Sequence, residues 1–126
     1  MNVIGLGIDL VEIEPFAEKL SRVSFREQVF TADEQLQADD RRKSAEAYAG
    51  KFAVKEAVMK SLGAGVRQGV WFTAIEVLSD EAGAPKLTLH RVAQSRAEAL
   101  GITAWHISIS HTGHTAVAVV LAIGDS

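Results

Sequence analysis

The chain has 126 residues, 48% of them hydrophobic, which is enough to fill the core of one domain over residues 1–126. Its net charge of −3 argues against a general nucleic-acid-binding protein, which usually carries a basic excess. The absence of cysteine excludes disulfides, thiolate metal sites and a cysteine nucleophile. The apolar runs are too short to span a membrane, and Asp9 interrupts the first one, which is atypical of a signal peptide. We therefore expect a cytoplasmic protein without a membrane or nucleic-acid partner.

The first third of the chain predicts one strand and two helices. Residues 3–11 are apolar, β-branched and interrupted by glycines, which is typical of a buried strand. Pro15 suits the first position of a helix that runs to about residue 22. Thr31 and Glu34 match a capping box, which predicts a short helix after them.

The longest helix signal covers residues 45–62, which are rich in Ala, Lys, Glu and Met. Ser44 is a candidate N-cap for this helix, and Gly63 is the residue expected to end it. The glycines of residues 63–69 then predict a loop.

The second half of the chain predicts strands over 71–78 and 86–90, and a helix over 92–100. Residues 105–110 alternate strictly between apolar and polar side chains, and a turn joins them to a last strand over 115–123. This order of elements predicts an α+β domain with a largely antiparallel sheet packed against the long helix.

Two carboxylates are the first candidates for chemistry. Asp9 lies in the apolar strand, where a carboxylate is costly unless it caps a turn, is paired or binds a metal. Glu56 and Lys60 are four residues apart and share one helix face, as in many ordinary helix ion pairs. If Glu56 instead faces Asp9, the two carboxylates need a cation between them, and Mg²⁺ suits such a site together with phosphate oxygens.

The segment Ser110–His111–Thr112 is either a polar hairpin turn or a site for a phosphate or a nucleotide edge. His111 and His114 could also form half of a zinc site, although two histidines alone specify little.

Glycines and basic residues are the remaining candidates. Gly63 and Gly65 either terminate the helix or let the backbone approach a phosphate. Arg41, Arg42 and Lys43 form either a solvated face or a surface that attracts an acidic partner or a nucleotide phosphate.

Three blocks of sequence together resemble one family. They are Gly5-Leu6-Gly7-Ile8-Asp9-Leu10-Val11-Glu12-Ile13, Phe52-Ala53-Val54-Lys55-Glu56-Ala57-Val58-Met59-Lys60 continuing into Gly63-Ala64-Gly65, and Ser108-Ile109-Ser110-His111-Thr112. In this order, over nearly the whole chain, they resemble the holo-acyl-carrier-protein synthases, the short type of phosphopantetheinyl transferase.

The resemblance implies that Asp9 and Glu56 bind Mg²⁺ and that Lys60 contacts the phosphate and assists the leaving group. It implies transfer of 4′-phosphopantetheine from coenzyme A to a serine of an acyl carrier protein, or of a carrier domain of a fatty-acid synthase, in fatty-acid biosynthesis. The positions expected to bind coenzyme A are Lys43, Lys51, Gly63, Gly65, Pro85, Ser110, His111 and Thr112.

The resemblance also implies a homotrimer with each active site between two subunits, and docking of the acidic carrier on the first helix. Lys19, Arg22 and Arg26 are the expected docking residues, because Glu14 and Pro15 stand where many members have a basic residue. Two other functions remain open from the residues. One is a metal-dependent phosphohydrolase that uses the same acidic pair, and the other is a non-catalytic oligomeric scaffold.

Overall fold

The computed structural model describes residues 1–125; Ser126, the last residue of the predicted domain, lies outside the described residues. The helices and strands are β1 (Asn2–Glu12), α1 (Ile13–Leu20), α2 (Val23–Val29), α3 (Ala32–Asp39), α4 (Ser44–Leu62), β2 (Ile75–Ser79), β3 (Pro85–Leu89), α5 (Arg91–Ala99), β4 (Ile102–His111) and β5 (Thr115–Gly124). Two single-turn 3₁₀ helices, Val66–Gln68 and Phe72–Ala74, lie between α4 and β2.

The strands form two antiparallel sheets. The larger sheet has the strand order β1-β5-β4, and the smaller one pairs β2 with β3. The predicted α+β class, the long helix and the C-terminal hairpin are therefore confirmed. Among the described residues, no helix combines the length and the apolar composition needed to cross a bilayer.

Helix α4 packs directly on β1 because two positions of the strand are glycine. A Cβ on Gly5 would overlap the carbonyl oxygen of Ser61, and a Cβ on Gly7 would overlap that of Ala57. Strand side chains alternate between the two faces of a sheet, so Asp9 lies on the same face of β1 as these glycines. The close contact thus places a carboxylate of the first strand against the long helix.

Several predicted boundaries were wrong. Helix α1 begins at Ile13, so Pro15 is its third residue. Ser44 is the first residue of α4 and not its N-cap; Lys43 occupies the N-cap position without a side-chain hydrogen bond. The predicted strand over 71–78 starts only at Ile75, because Ala74 N–H bonds back to the Trp71 carbonyl and closes a 3₁₀ turn. Helix α2 was missed.

Other local predictions were confirmed. The Thr31 hydroxyl accepts a hydrogen bond from Glu34 N–H at 3.2 Å, and the Glu34 carboxylate accepts one from Thr31 N–H at 2.8 Å, which completes the capping box. Gly63 ends α4 with a φ of +64°, a left-handed conformation that favours glycine.

Candidate active site

The carboxylates of Asp9 and Glu56 lie on facing elements, β1 and α4, and they interact. Burial raises the pKa of Glu56, and the nearby Asp9 carboxylate raises it further, while Lys60 and Lys19 partly offset the rise. A carboxylate whose pKa is raised by a second carboxylate is typical of a site that binds a cation. The structure therefore brings together the strand aspartate and the helix glutamate.

Lys60 completes this group of charges. Its ammonium lies 3.0 Å from Asp9 Oδ1 and donates a hydrogen bond of 2.8 Å to the carbonyl of Ile8. The Lys60 side chain is 54% exposed and that of Asp9 is 16% exposed, so the lysine reaches the carboxylate from the solvent side. Such a partly exposed pair contributes little to stability. It places a half-exposed cation beside two carboxylates.

The donor set fits Mg²⁺. Magnesium commonly takes one or two carboxylates and fills its remaining positions with waters and substrate phosphates. No group of three or more His, Asp or Glu side chains arranged to hold a metal occurs within residues 1–125. Asp9 and Glu56 can thus supply two protein ligands, and the open positions suit an incoming diphosphate. The same finding gives no support to a zinc site at His111 and His114.

A cavity of about 310 Å³ lies between helices α3 and α4 and strands β2, β3 and β4. Its lining residues are Gln37, Ala38, Arg41, Arg42, Lys43, Glu46, Ala47, Gly50, Lys51, Val77, Ser79, Pro85, Ile109 and His111. Four residues predicted to bind coenzyme A, namely Lys43, Lys51, Pro85 and His111, therefore share one cavity. Three successive cations at its edge suit the phosphates of a nucleotide.

Lys51 and His111 are both held by protein partners in the cavity wall. The Lys51 ammonium donates hydrogen bonds of 2.8 Å to Gln37 Oε1 and to the carbonyl of Val77. Burial lowers the pKa of Lys51 to about 8. The His111 Nε2 lies 3.3 Å from Glu46 Oε1. Lys51 thus supports the wall, in addition to any contact it makes with a ligand.

The remaining residues predicted to bind coenzyme A, Gly63, Gly65, Ser110 and Thr112, do not line this cavity. The Thr112 hydroxyl accepts hydrogen bonds from the N–H groups of His114 and Thr115, as expected of a polar turn. Gly65 N–H donates a hydrogen bond of 2.7 Å to the side-chain oxygen of Gln68, and this bond stabilises the loop after α4.

The predicted docking residues differ in exposure. Lys19 and Arg22 are exposed at the end of α1, while Arg26 on α2 is half-buried. Arg26 Nε is buried without a hydrogen-bond partner among the described residues, and its guanidinium lies beside Tyr48. Burial and a hydrogen bond to Asp39 raise the pKa of that Tyr48 hydroxyl to about 12. Arg26 is thus packed against the protein.

The sequence interpretation missed a buried ion pair that involves Lys55, the residue before Glu56 on α4. Lys55 and Glu34 are fully buried and lie 2.9 Å apart. The capping box identified Glu34 as a helix-start residue, but nothing in the local pattern indicated that its second role is to pair with Lys55.

Comparison with known proteins adds to the geometry. Residues 5–120 match the model of the ACPS family, described as the 4′-phosphopantetheinyl transferase superfamily. The holo-[acyl-carrier-protein] synthase of Solidesulfovibrio magneticus is 48% identical over 95% of this chain and 98% of its own. That of Streptomyces avermitilis is 38% identical over 98% of this chain and all of its own, 100%.

Solved structures agree. The holo-[acyl-carrier-protein] synthase of Neisseria meningitidis matches with a TM-score of 0.86 and 28% identity, over 97% of this chain and 99% of that one. The Bacillus anthracis synthase in complex with CoA (3′,5′-ADP) matches with a TM-score of 0.81 and 32% identity, over 98% of both chains. The family match over most of the chain, together with relatives of nearly equal length, shows that this chain belongs to the 4′-phosphopantetheinyl transferase superfamily.

Proposed function

We propose that the chain is a holo-acyl-carrier-protein synthase. It transfers 4′-phosphopantetheine from coenzyme A to a serine of apo acyl carrier protein, in fatty-acid biosynthesis, and releases adenosine 3′,5′-bisphosphate. The observation that carries the proposal is the cluster of Asp9, Glu56 and Lys60. Two interacting carboxylates and a half-exposed ammonium beside them are groups that can align a phosphoryl transfer and neutralise its charge.

Each residue of the cluster has a role in the proposed reaction. Asp9 and Glu56 would hold Mg²⁺, and the bound ion would supply charge neutralisation for the diphosphate. The serine oxygen of the carrier forms a bond to the pantetheine-side phosphorus while the bond from that phosphorus to the bridging oxygen breaks. Glu56 accepts the hydroxyl proton, directly or through water, and Lys60 stabilises the charge on the departing nucleotide phosphate.

The cavity beside α4 is the proposed nucleotide site. Lys43 stands with Arg41 and Arg42 at its edge, and Pro85 and His111 form parts of its wall. Gly63, Gly65, Ser110 and Thr112 stay predictions, with contacts to coenzyme A arising outside this cavity or from a second subunit.

We propose a homotrimer, the assembly that the sequence resemblance implies, and the apolar, exposed outer face of the larger sheet supports self-association. Leu6, Ile8 and Leu10 are 63%, 56% and 67% exposed, and Val119, paired with Ile8, is 38% exposed. Contiguous apolar surface of this kind marks an interaction site. The residues alternate along β1 with Gly7 and Asp9, so one strand supplies both the interface and a metal ligand.

The trimer has a direct test. Light scattering coupled to size exclusion should give three times the chain mass, and Ile8→Glu should lower the mass and the transfer rate together. A variant that becomes monomeric and keeps the full rate would contradict active sites shared between subunits. We also place the enzyme in the cytoplasm, where coenzyme A and the carrier would be available.

Lys19 and Arg22 are the proposed contacts for the acidic carrier, because both are exposed at one end of α1. Arg26 was predicted with them, and its packing against Tyr48 gives it less freedom to reach a partner.

The test of the function is the intact mass of an apo acyl carrier protein after incubation with this protein, magnesium and coenzyme A. The expected product is the carrier plus one phosphopantetheine. Incubation without carrier separates the alternatives, because a phosphohydrolase would release nucleotide from coenzyme A alone. A non-catalytic scaffold would show neither transfer nor thermal stabilisation by magnesium and coenzyme A.

A further inference from the structure

Lys55 has all of its hydrogen-bonding capacity used inside the protein. Its side chain is fully buried, and its ammonium donates to the carbonyl oxygens of Phe72, at 2.8 Å, and Ile75. The third partner is the Glu34 carboxylate at 2.9 Å. An ammonium has three N–H donors, so this lysine has none left for a substrate.

The partners of Lys55 are themselves fixed. The Glu34 carboxylate also accepts hydrogen bonds from Thr31 N–H at 2.8 Å and Val77 N–H at 2.7 Å. The Phe72 ring stacks on Phe52 of α4, with ring centroids 5.5 Å apart and an interplanar angle of 27°. Lys55 thus joins α4 to the start of α3 and to residues 72–77.

Lys55 and Glu56 are adjacent, so their side chains leave α4 about 100° apart around the helix axis. Lys55 points to β2 and α3, whereas Glu56 lies one helical turn before Lys60, whose ammonium is 3.0 Å from Asp9 Oδ1 on β1. On the β1 side, the backbone of Ala57 touches Gly7 without an intervening side chain. The rotation of α4 is therefore held between a backbone contact on one side and the ammonium of Lys55 on the other.

We propose that Lys55 is a positioning residue, which, by anchoring α4 to Phe72, Ile75 and Glu34, sets the placement of Glu56 opposite Asp9. This inference rests on the proposed function for its kinetic consequence. Loss of the ammonium takes a donor from the buried carbonyls of Phe72 and Ile75 and removes the counter-ion of the Glu34 carboxylate, and the helix must shift to hydrate or re-pair these groups. A misplacement of about 1 Å can cost roughly 10²-fold in rate.

The experiment compares Lys55→Gln and Glu34→Gln with the control Val58→Ala. Val58 is fully buried on the same helix and has no polar partner to lose, so its truncation lowers stability without releasing the anchor. Two quantities are measured on each folded variant at one temperature well below its melting transition. They are the transfer kcat and the magnesium concentration at the midpoint of magnesium-induced thermal stabilisation, which does not depend on activity.

We expect Lys55→Gln to lower kcat by roughly 10- to 100-fold and to raise the magnesium midpoint, while Val58→Ala changes neither beyond about twofold. Glu34→Gln should fall between them, because Lys55 keeps both carbonyl partners. Equal kcat and equal midpoints in Lys55→Gln and Val58→Ala would overturn the proposal and leave Lys55 a stability residue.

If Lys55→Gln does not fold, Glu34→Gln decides, since glutamine keeps the size of the side chain and removes only the charge of the pair. A kcat and a midpoint in Glu34→Gln equal to those of Val58→Ala would then overturn the proposal. If the unmodified protein transfers nothing to the carrier, the proposed function fails, and the magnesium midpoints still test whether Lys55 positions Glu56.

Discussion

The two sides of α4 carry similar residue types in opposite electrostatic conditions. On the side toward β2, Lys55 and Glu34 are both fully buried, and every N–H of the ammonium has an acceptor. On the side toward β1, Glu56 faces Asp9, burial and repulsion raise its pKa, and Lys60 stays largely in solvent. One helix therefore has a closed ion pair on one side and an open group of charges on the other.

The completeness of the ion pairing decides which side of α4 can bind a ligand. A buried ion pair with complete partners fixes structure, because removing either member strands the other. Like charges that are incompletely neutralised repel each other, which lowers the stability of the free protein. A ligand of opposite charge relieves this repulsion and therefore binds favourably. In the roles we propose, the closed side holds the helix in place, and the open side binds a metal and a diphosphate.

The largest effect is expected from Glu56→Gln. The substitution removes the carboxylate that we propose accepts the serine proton and binds magnesium, so the transfer rate should fall by roughly 10³-fold or more. Circular dichroism should show an unchanged fold, because Glu56 sits on the open side. Full activity in this variant would exclude Glu56 from the mechanism, and with it the claim that the side of α4 toward β1 carries the reactive charges.

Asp9→Asn is expected to have the next largest effect. It weakens metal binding, so the magnesium concentration for half-maximal transfer should rise by at least about tenfold, the lower range seen even for outer-shell partners of metal sites. The rate at saturating magnesium should also fall. A variant with the magnesium requirement of the parent would exclude Asp9 as a ligand.

The residues predicted to dock the carrier also include an exposed cation, Arg22, and a half-buried one, Arg26. Arg22→Glu should raise KM for the carrier several-fold and leave KM for coenzyme A unchanged, because Arg22 is exposed on the docking side. Arg26→Glu should mainly lower the melting temperature, since Arg26 packs beside Tyr48. Equal increases in both Michaelis constants for Arg22→Glu would argue against docking at α1.

The pKa of Glu56 in metal-free protein should change by a smaller amount, and the direction of the change is predicted for each of two variants. Carbon-13 NMR should place this pKa above the ordinary value of 4.5. Asp9→Asn should lower it, because repulsion is removed, and Lys60→Ala should raise it, because an attractive charge is lost. A Glu56 pKa that ignores both substitutions would show that the three side chains do not interact.

The same shift predicts a small change in stability. A folded-state pKa above the unfolded value means that the folded protein binds the proton more tightly, so this contribution is complete below pH 4.5 and is lost as the pH rises through the raised value. Glu56→Gln abolishes that loss, so its melting temperature at neutral pH should exceed that of the parent. A lower melting temperature would indicate that Glu56 is a structural residue.

The open side of α4 was predictable from sequence, and the closed side was not. An aspartate inside an apolar strand and a glutamate in a recognisable block are anomalies that a single sequence displays. Lys55 looks like a solvent-facing helix residue, because its burial depends on the carbonyls of Phe72 and Ile75, about twenty residues later. Sequence patterns report periodicity and caps, and they carry no information on such distant backbone partners.

Local geometry explains the remaining misses. The segment 23–29 has valines at both ends and no capping box, so its helical propensity is low and tertiary packing decides. Residues 71–74 have strand-like composition, yet the hydrogen bonds of Ala74 favour a 3₁₀ turn. Lys43, Lys51, Pro85 and His111 line one cavity, while Gly63, Gly65, Ser110 and Thr112 lie outside it, so the binding of coenzyme A by all eight residues stays a prediction.

The most direct measurement follows the intact mass of an apo acyl carrier protein with magnesium and coenzyme A, using the parent protein and Glu56→Gln at equal folded concentration. We predict complete addition of one phosphopantetheine by the parent and none by the variant in the same time. A carrier left unmodified by the parent, or modified at the same rate by the variant, would contradict it.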